Sequence, residues 1–404
     1  MPLNPSATVM QLGDSSAQIF WDKMLLRYLP KRRPLLNESL GICGPKNTCA
    51  IQVKDDLTKT RSDEIRLTMV YKLSGRGRGP QEKLADHYEG QGHATYAVKI
   101  EKLRHGVQIE DEMSDQRSFW DQAGETVMAL GDWMADRMEL TFMAQGCGIT
   151  SINDSVYTGN NTIRALHANH LIWPTGVTNG QSLTTAHPFN NALVRKAATR
   201  ISLMKNRMRP VRTKLGDLYL WIVSPGMKAS AHSEDSAFYG AMQAELVKAT
   251  SNARGNPLIN GEMFGIWEGF LFLESNWVPP AIHSVTGKGI PSTARSLILG
   301  AQGLMCAFGR GSQAKGYSLK NRYTLVPDSE DAGDTLLMAL KTFWGVDRPG
   351  FPAKEDLDAT SPSLQDLGAI AVECFSTQEG LATDEVFEPW VEAGLEFEAT
   401  GPEG

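Results

Sequence analysis

The sequence predicts an α+β fold. Apolar residues alternate with polar ones over Glu64–Leu73 and Ala94–Ile100, the two-residue period of half-buried strands. An apolar stripe at three- and four-residue steps runs through Ser114–Ala144, the period of a helix. The remaining strand-like and helix-like segments follow one another without a regular βαβ rhythm, which argues against a doubly wound sheet or a barrel. No internal repeat of fixed period occurs.

In chain order, Ser16–Tyr28 places Phe20, Met24 and Tyr28 on one helical face, and Pro30 with the Lys31-Arg32-Arg33-Pro34 run ends it. From there to Thr60 the chain is polar and has too few apolar residues for a core of its own. Ile65, Leu67, Met69, Tyr71 and Leu73 form one face of a strand, and Tyr96, Val98 and Ile100 one face of the next. They flank a Gly-rich excursion, Ser74–His93, and together read as a long hairpin. An isolated hairpin is marginal in water, so this one must lie on another domain or another subunit. The long helix follows, with Ser114 as N-cap, Phe119, Ala123, Val127, Leu130, Met134, Met138 and Phe142 as its stripe, and Gly146 and Gly148 at its end. Residues 149–190 read as loops. Ala192–Met208 reads as a helix with Leu193, Ala197, Ile201, Met204 and Met208 inward. Leu218–Val223 is a buried strand, and Ser233–Ser251 a helix entered through Ser233. Phe264–Leu273 reads as strand, Ala294–Phe308 as strand in part, Tyr317–Val326 as strand, Ala332–Trp344 as helix and Leu367–Phe375 as a last strand.

Length and charge narrow the function classes. The 404 residues suit two to three lobes and a sizeable core. The net charge of −6 conceals a segregation: Glu355–Gly404 holds 13 acidic residues and no Lys or Arg, while Ser155–Gly216 holds nine basic residues and no acid. Opposite blocks on one chain suggest partners of opposite sign, another copy of the chain among them. No run of 18 apolar residues is present, so no membrane span is expected. The N-terminus lacks the basic and apolar regions of a secretory signal. Cys43, Cys49, Cys147, Cys306 and Cys374 are odd in number, scattered and free of any CxxC pair, which reads as reduced thiols.

No complete catalytic constellation emerges, and no cofactor or metal is expected. Gly75-Arg-Gly-Arg-Gly79 has Pro80 where a dinucleotide fingerprint needs its third Gly, and reads as a basic loop tip. Thr286-Gly-Lys-Gly289 lacks the upstream Gly and the following Ser/Thr of a phosphate-binding loop. His167 and His170 lie three residues apart in an acid-free block and read as surface histidines. Glu110, Asp111 and Glu112 are consecutive and point in different directions. Arg195, Lys196, Arg200, Lys205, Arg207, Arg209, Arg212 and Lys214 form a basic face. It reads as a solvated or inter-subunit surface; the alternative, nucleic-acid binding, lacks interleaved aromatic residues for base stacking.

The order of arm, long hairpin, long helix, mixed lobe and returning strands resembles a major capsid protein of tailed bacteriophages. The segments Ile51-Gln-Val-Lys-Asp-Asp-Leu-Thr-Lys59, Tyr96–Val107, Met113-Ser-Asp-Gln-Arg117, Gly131-Asp-Trp-Met-Ala-Asp136, Asp331–Leu337 and Asp366–Val372 are similar to the coat-protein family of short-tailed lytic phages. The resemblance covers about residues 15–376 and carries no catalytic residue. It implies an N-arm over 1–60 and an E-loop over 61–108. It further implies a P-domain over 109–214 with its spine helix at 114–145, an A-domain over 215–315, and a return to the P-domain over 316–376, followed by an acidic tail, 377–404. It implies a structural protein that self-assembles from hexamers and pentamers into an icosahedral virion shell around double-stranded DNA, without sequence-specific binding. A portal protein and a decoration protein are further implied partners. With about 60 residues before the E-loop, scaffolding is expected from a separate protein. Subunit contacts are then expected at Lys31 and Arg32 of the N-arm and at Arg66, Lys72, Arg76, Arg78, Lys83 and His87 of the E-loop.

Overall fold

A computed structural model of the chain describes residues 35–36, 48–54, 62–73, 75–79, 88–109, 122–204, 207–213, 215–251, 263–309, 323–330, 335–357 and 363–398. The Ser16–Tyr28 helix, the Glu110–Glu112 triplet and the first turns expected of the long helix lie outside these residues.

Strands β1 (Ile51–Lys54), β2 (Glu64–Val70), β3 (His93–Lys99) and β4 (Glu101–Ile109) precede helix α1 (Gln122–Cys147). A loop-rich stretch carries α2 (Ser155–Thr158) and β5 (Leu171–Ile172), then α3 (Asn191–Leu203), β6 (Val211–Thr213), β7 (Gly216–Val223), α4 (Pro225–Glu234) and α5 (Ser236–Ser251). Strands β8 (Met263–Trp267), β9 (Phe270–Glu274), β10 (Ala281–Ile282), β11 (Gly289–Ile290), β12 (Thr293–Leu299) and β13 (Leu304–Phe308) come next. The chain closes with β14 (Tyr323–Glu330), β15 (Thr335–Asp347), β16 (Gly350–Pro352), β17 (Leu364–Asp366) and β18 (Ala369–Phe375), then the short helices α6 (Thr383–Val386) and α7 (Glu388–Glu392).

Two sheets share α1 as their common support. The larger runs β5-β18-β12-β7-β9-β8, with β6 on β7. In its core Phe189 meets Trp221 and Phe272, and Trp221 meets Phe270, with edge-on contacts at ring separations of 5.0–5.9 Å. The smaller runs β1-β13-β15-β14, with β4 on the other edge of β15. Val127, Leu130, Met134, Met138 and Phe142 of α1 are buried as their spacing predicts. Phe142 meets Trp344 of β15 edge-on at 6.2 Å, and Gly146 lies so close to Leu297 of β12 that a Cβ would reach 2.5 Å from its methyl. Helix α1 ends at Cys147, with Gly148 at φ +66°.

The β2–β3 hairpin forms in the predicted register, Ile65 opposite Val98 and Leu67 opposite Tyr96. At its base, Gly345 of β15 lies so close to Lys99 that a Cβ there would overlap the Lys99 carbonyl oxygen.

Several expectations are corrected. Ala332–Trp344 is not a helix: its described part is strand β15, held by β4 on one edge and β13 and β14 on the other. Leu336, Leu337, Met338, Ala339 and Leu340 favour helix intrinsically, but ladder pairing on both edges outweighs that preference. The residues then alternate, with Met338, Leu340, Thr342, Trp344 and Val346 buried. Phe264–Leu273 is two strands, turned at Glu268 (φ +49°) and Gly269 (φ +82°), the left-handed pair a tight hairpin needs. Helix α3 stops at Leu203 rather than Met208; Met204 is extended and Pro210 follows. The Ser233–Ser251 helix is entered through Asp235, whose carboxylate accepts the Phe238 N–H at 3.2 Å. Cys49 is disulfide-bonded, so the thiols are not all reduced; an odd count without a CxxC pair argues against a framework, not against one bridge. Cys147, Cys306 and Cys374 are buried and not disulfide-bonded.

Candidate assembly interface

The hairpin is tied to its own chain along its length and leaves several apolar side chains exposed. Ile65 and Val98 bury against Met305 and Ala307 of β13, with Leu67, Tyr96 and Ile100 beside them. Polar groups add to this small cluster. The Tyr96 hydroxyl donates to Asp347 at 2.8 Å and the Tyr71 hydroxyl to the Pro352 carbonyl at 2.6 Å. Asn161 brackets Lys99, accepting its N–H at 3.0 Å and donating to its carbonyl at 2.7 Å. Lys354 pairs with Glu89. Beside these ties, Val70 and Leu73 are 56 % exposed and Tyr88 78 %.

Under the hairpin lies a buried ionic network. Asp366 accepts from Arg348 at 2.8 Å, from Arg164 at 2.5 Å and from the His167 N–H at 3.2 Å. Arg348 spends its other donors on four carbonyls, those of Gln145 and Gly146 at the end of α1 and those of Arg164 and Ala165. A guanidinium there satisfies orphan carbonyls and complements the helix dipole. Asp347, next to it, is pushed up to about 6 by burial, against the hydrogen bonds from Tyr96 and the Arg348 N–H and the nearby arginines. His170 is buried, not on the surface as its sequence context suggested, and burial pushes it down to about 4. Its neighbours Leu171 and Ile172 draw it inward with β5.

The basic segment is largely engaged by its own chain. Arg195 faces Glu268 at 3.7 Å and Arg212 faces Asp217 at 3.6 Å. Lys196 donates to the Trp173 carbonyl at 2.7 Å, Arg200 to the Asn169 side chain at 3.0 Å, and Arg209 to Gln302. Arg207 is exposed. Of the hairpin residues, Arg66 pairs with Glu64 at 2.7 Å, and Lys72, Arg76 and Arg78 are exposed. Lys31, Arg32, Lys83, His87, Lys205 and Lys214 lie outside the described residues. The described members of the two sets are thus engaged or exposed separately and share no contact among the described residues.

The acidic tail is folded onto its own subunit. Trp390, Phe387 and Leu395 are buried, and Phe397 stacks on Phe387 at 5.4 Å. Gly289 and the tail exchange backbone hydrogen bonds, from Gly289 to Glu396 at 2.7 Å and from Glu398 to Gly289 at 2.9 Å. Lys288 pairs with Glu396 at 2.9 Å. This tail lines a cleft of about 660 Å³ with Trp173, Arg295, Lys288 and Glu373. No nucleophile and base are poised there. Glu373 is held by Arg295 and by the Trp173 indole, both at 2.6 Å, the Ser151 hydroxyl donates to Gly287, and His283 Nδ1 accepts two backbone N–H groups. Among the described residues no cluster of three His, Cys, Asp or Glu could hold a metal ion, and no helix is long and apolar enough to cross a membrane.

Sequence reasoning missed the anchors Phe387, Trp390 and Leu395, hidden among acids, and the Tyr96–Asp347 and Arg348–Asp366 pairs. Tyr96 and Asp366 do stand in the segments that carry the capsid resemblance, a signal read there for family rather than for contact.

The sequence model of the family described as phage capsid protein matches residues 10–376. The chain belongs to that family. As a phage capsid protein it is a structural subunit, not an enzyme, and it assembles with copies of itself into the virion shell. Solved structures agree on the fold. The capsid of Ralstonia phage GP4 is similar at TM-score 0.71 and 20 % identity, covering 87 % of this chain and 93 % of that one. The capsid of cyanophage Pam1 follows at 0.60 and 12 %, covering 86 % and 93 %. The head of Helicobacter pylori bacteriophage KHP40 gives 0.56 and 12 %, covering 86 % and 91 %. A search of curated protein sequences finds no match. The tail that folds back through Trp390 lies beyond the stretch the family model matches.

Proposed function

We propose that the capsid protein builds an icosahedral shell of hexamers and pentamers around double-stranded DNA, and that its hairpin tip and N-arm make the contacts between subunits. The segment boundaries read from the sequence go with this proposal, from the N-arm over 1–60 to the A-domain over 215–315. The observation that carries it is the contrast within the hairpin: Tyr71, Tyr96 and Asn161 tie it to its own chain, while the apolar side chains of Val70, Leu73 and Tyr88 stand in solvent. Exposed apolar side chains on a projecting element mark an interaction surface.

Within the basic segment, Arg195 and Arg212 hold their carboxylates at 3.6–3.7 Å on exposed surface. Such pairs contribute about 0–1 kcal/mol, so the segment's charge serves steering and register rather than stability. Assembly takes place in the bacterial cytoplasm with a separate scaffolding protein, and a portal protein completes the particle. Deleting residues 75–92 tests the central claim. A folded monomer that forms no shells is expected; normal shells from the deletion overturn it.

A further inference from the structure

Cations directly opposite one another across a β-ladder destabilise it, and the β4–β15 pair carries such a clash. Arg104 stands opposite Lys341, and Lys102 opposite Phe343 two pairs further on. These residues share the face turned away from α1, because Leu103 and His105 of β4 and Met338, Leu340 and Trp344 of β15 take the other: His105 stacks on Trp133 of α1 at 4.4 Å. The Lys341 ammonium lies over the Phe343 ring at 5.3 Å. Partial burial, then Lys102 and Arg104, hold Lys341 below the usual lysine range. No hydrogen bond or ion pair among the described residues engages the three cations. Among the described residues this broken local rule has no internal compensation, which points to an external one.

The same molecule carries the complement. Asp384, Glu388 and Glu392 are exposed on α6 and α7, and no cation among the described residues pairs with their carboxylates. The two short helices are held in place by buried Phe387 and Trp390, so the acidic face is presented on a fixed support. Leu381, 58 % exposed, and Val391, 43 % exposed, flank it. We propose that the acidic α6–α7 face of one copy docks on the Lys102–Arg104–Lys341 face of a second copy, a contact that rests on the shell reading above. Three features select this occupant. The five described cations of the basic segment other than Arg207 already have partners in their own chain. A DNA duplex presents one charge about every 1.7 Å along its axis and calls for an extended cationic stripe, whereas this is a compact triplet. Between Ala339 and Phe343 that triplet also offers apolar surface, which suits Leu381 and Val391 and not a phosphate backbone.

Charge reversal tests the pairing. Arg104→Glu with Lys341→Glu, and separately Glu388→Lys with Glu392→Lys, should each lower shell yield about tenfold, the effect of about 1.4 kcal/mol per contact. Circular dichroism and thermal melting of the monomer should be unchanged. Combining all four substitutions should restore assembly. The neutral pair Arg104→Gln and Lys341→Gln covers the case where reversal impairs folding, and should weaken assembly in the same direction. In assembled shells, Arg104→Cys and Glu388→Cys should cross-link between copies on mild oxidation. Folded reversal variants that assemble normally overturn the proposal. So does a cross-link formed only within one chain, or reversal variants that build shells but fail to retain DNA. Wild-type shells in the same assay keep the capsid reading separate from this one.

Discussion

The hairpin and the tail both extend from the central sheets, yet they are attached in opposite ways. The hairpin stands on four apolar residues, Ile65, Val98, Met305 and Ala307, and on directional bonds from Tyr96, Tyr71 and Asn161. The tail is nailed by large apolar groups, Trp390 above all, with Phe387 and Leu395. Apolar burial is non-directional and scales with area, so it fixes the tail as a plate. Hydrogen bonds set an angle and contribute about 1 kcal/mol each, so they fix the hairpin as a lever that can be released one bond at a time.

The strongest way to break this contrast is Trp390→Ala. Removing a fully buried indole should cost about 3–5 kcal/mol, lower the melting temperature of the monomer, and expose residues 377–398 to proteolysis while the hairpin keeps its protection. Loss of the hairpin first would erase the distinction.

Next comes pH at the lever's foot. Asp347 sits at about 6 in the fold against 3.8 in a model peptide, so the native state binds more protons between those values and stability falls as pH rises through that window. Asp347→Asn should therefore stabilise the protein above pH 6, by about 1–3 kcal/mol at 1.36 kcal/mol per pH unit, and the gain should vanish below pH 4. His170 acts in the opposite sense. Lowered from 6.5 to about 4, it costs stability as pH falls from 6.5 to 4, so the Asn variant is best compared in a His170→Gln background. Urea denaturation across pH 4–8 reads both; a pH-independent gain would sink the assignment to Asp347.

Tyr96→Phe should cost about 1–2 kcal/mol, since it leaves a buried carboxylate short of one donor. Amide exchange should speed up at β2 and β3 and stay unchanged at α7. Lys354→Gln breaks the pair with Glu89 at a half-exposed site and should change stability by about 0–1 kcal/mol, with the effect confined to exchange near Gly75 and Glu89.

Much of this was legible in the sequence. The hairpin announced itself because one face of β2 and β3 is buried and the other is not, and α1 because a single stripe faces both sheets. Strand β15 was not legible, because Leu, Met and Ala suit either state and only pairing on both edges decides. The basic segment was visible as charge, yet its partners Glu268, Asp217, Asn169 and the Trp173 carbonyl come from loops whose approach no spacing encodes. In the tail, acids mark solvent, and nothing in Glu388-Pro-Trp-Val-Glu392 says that the indole is swallowed whole.

Gly345 has an evolutionary consequence. The backbone of β15 touches the hairpin at Lys99 with no room for a single methyl, so the junction has no side-chain chemistry that substitution could tune there. A saturation library should find position 345 closed to all residues but one, while the strand around it accepts exchange. Lineages adapting their shells to new conditions would have to adjust the lever through its polar ties and leave its fulcrum untouched.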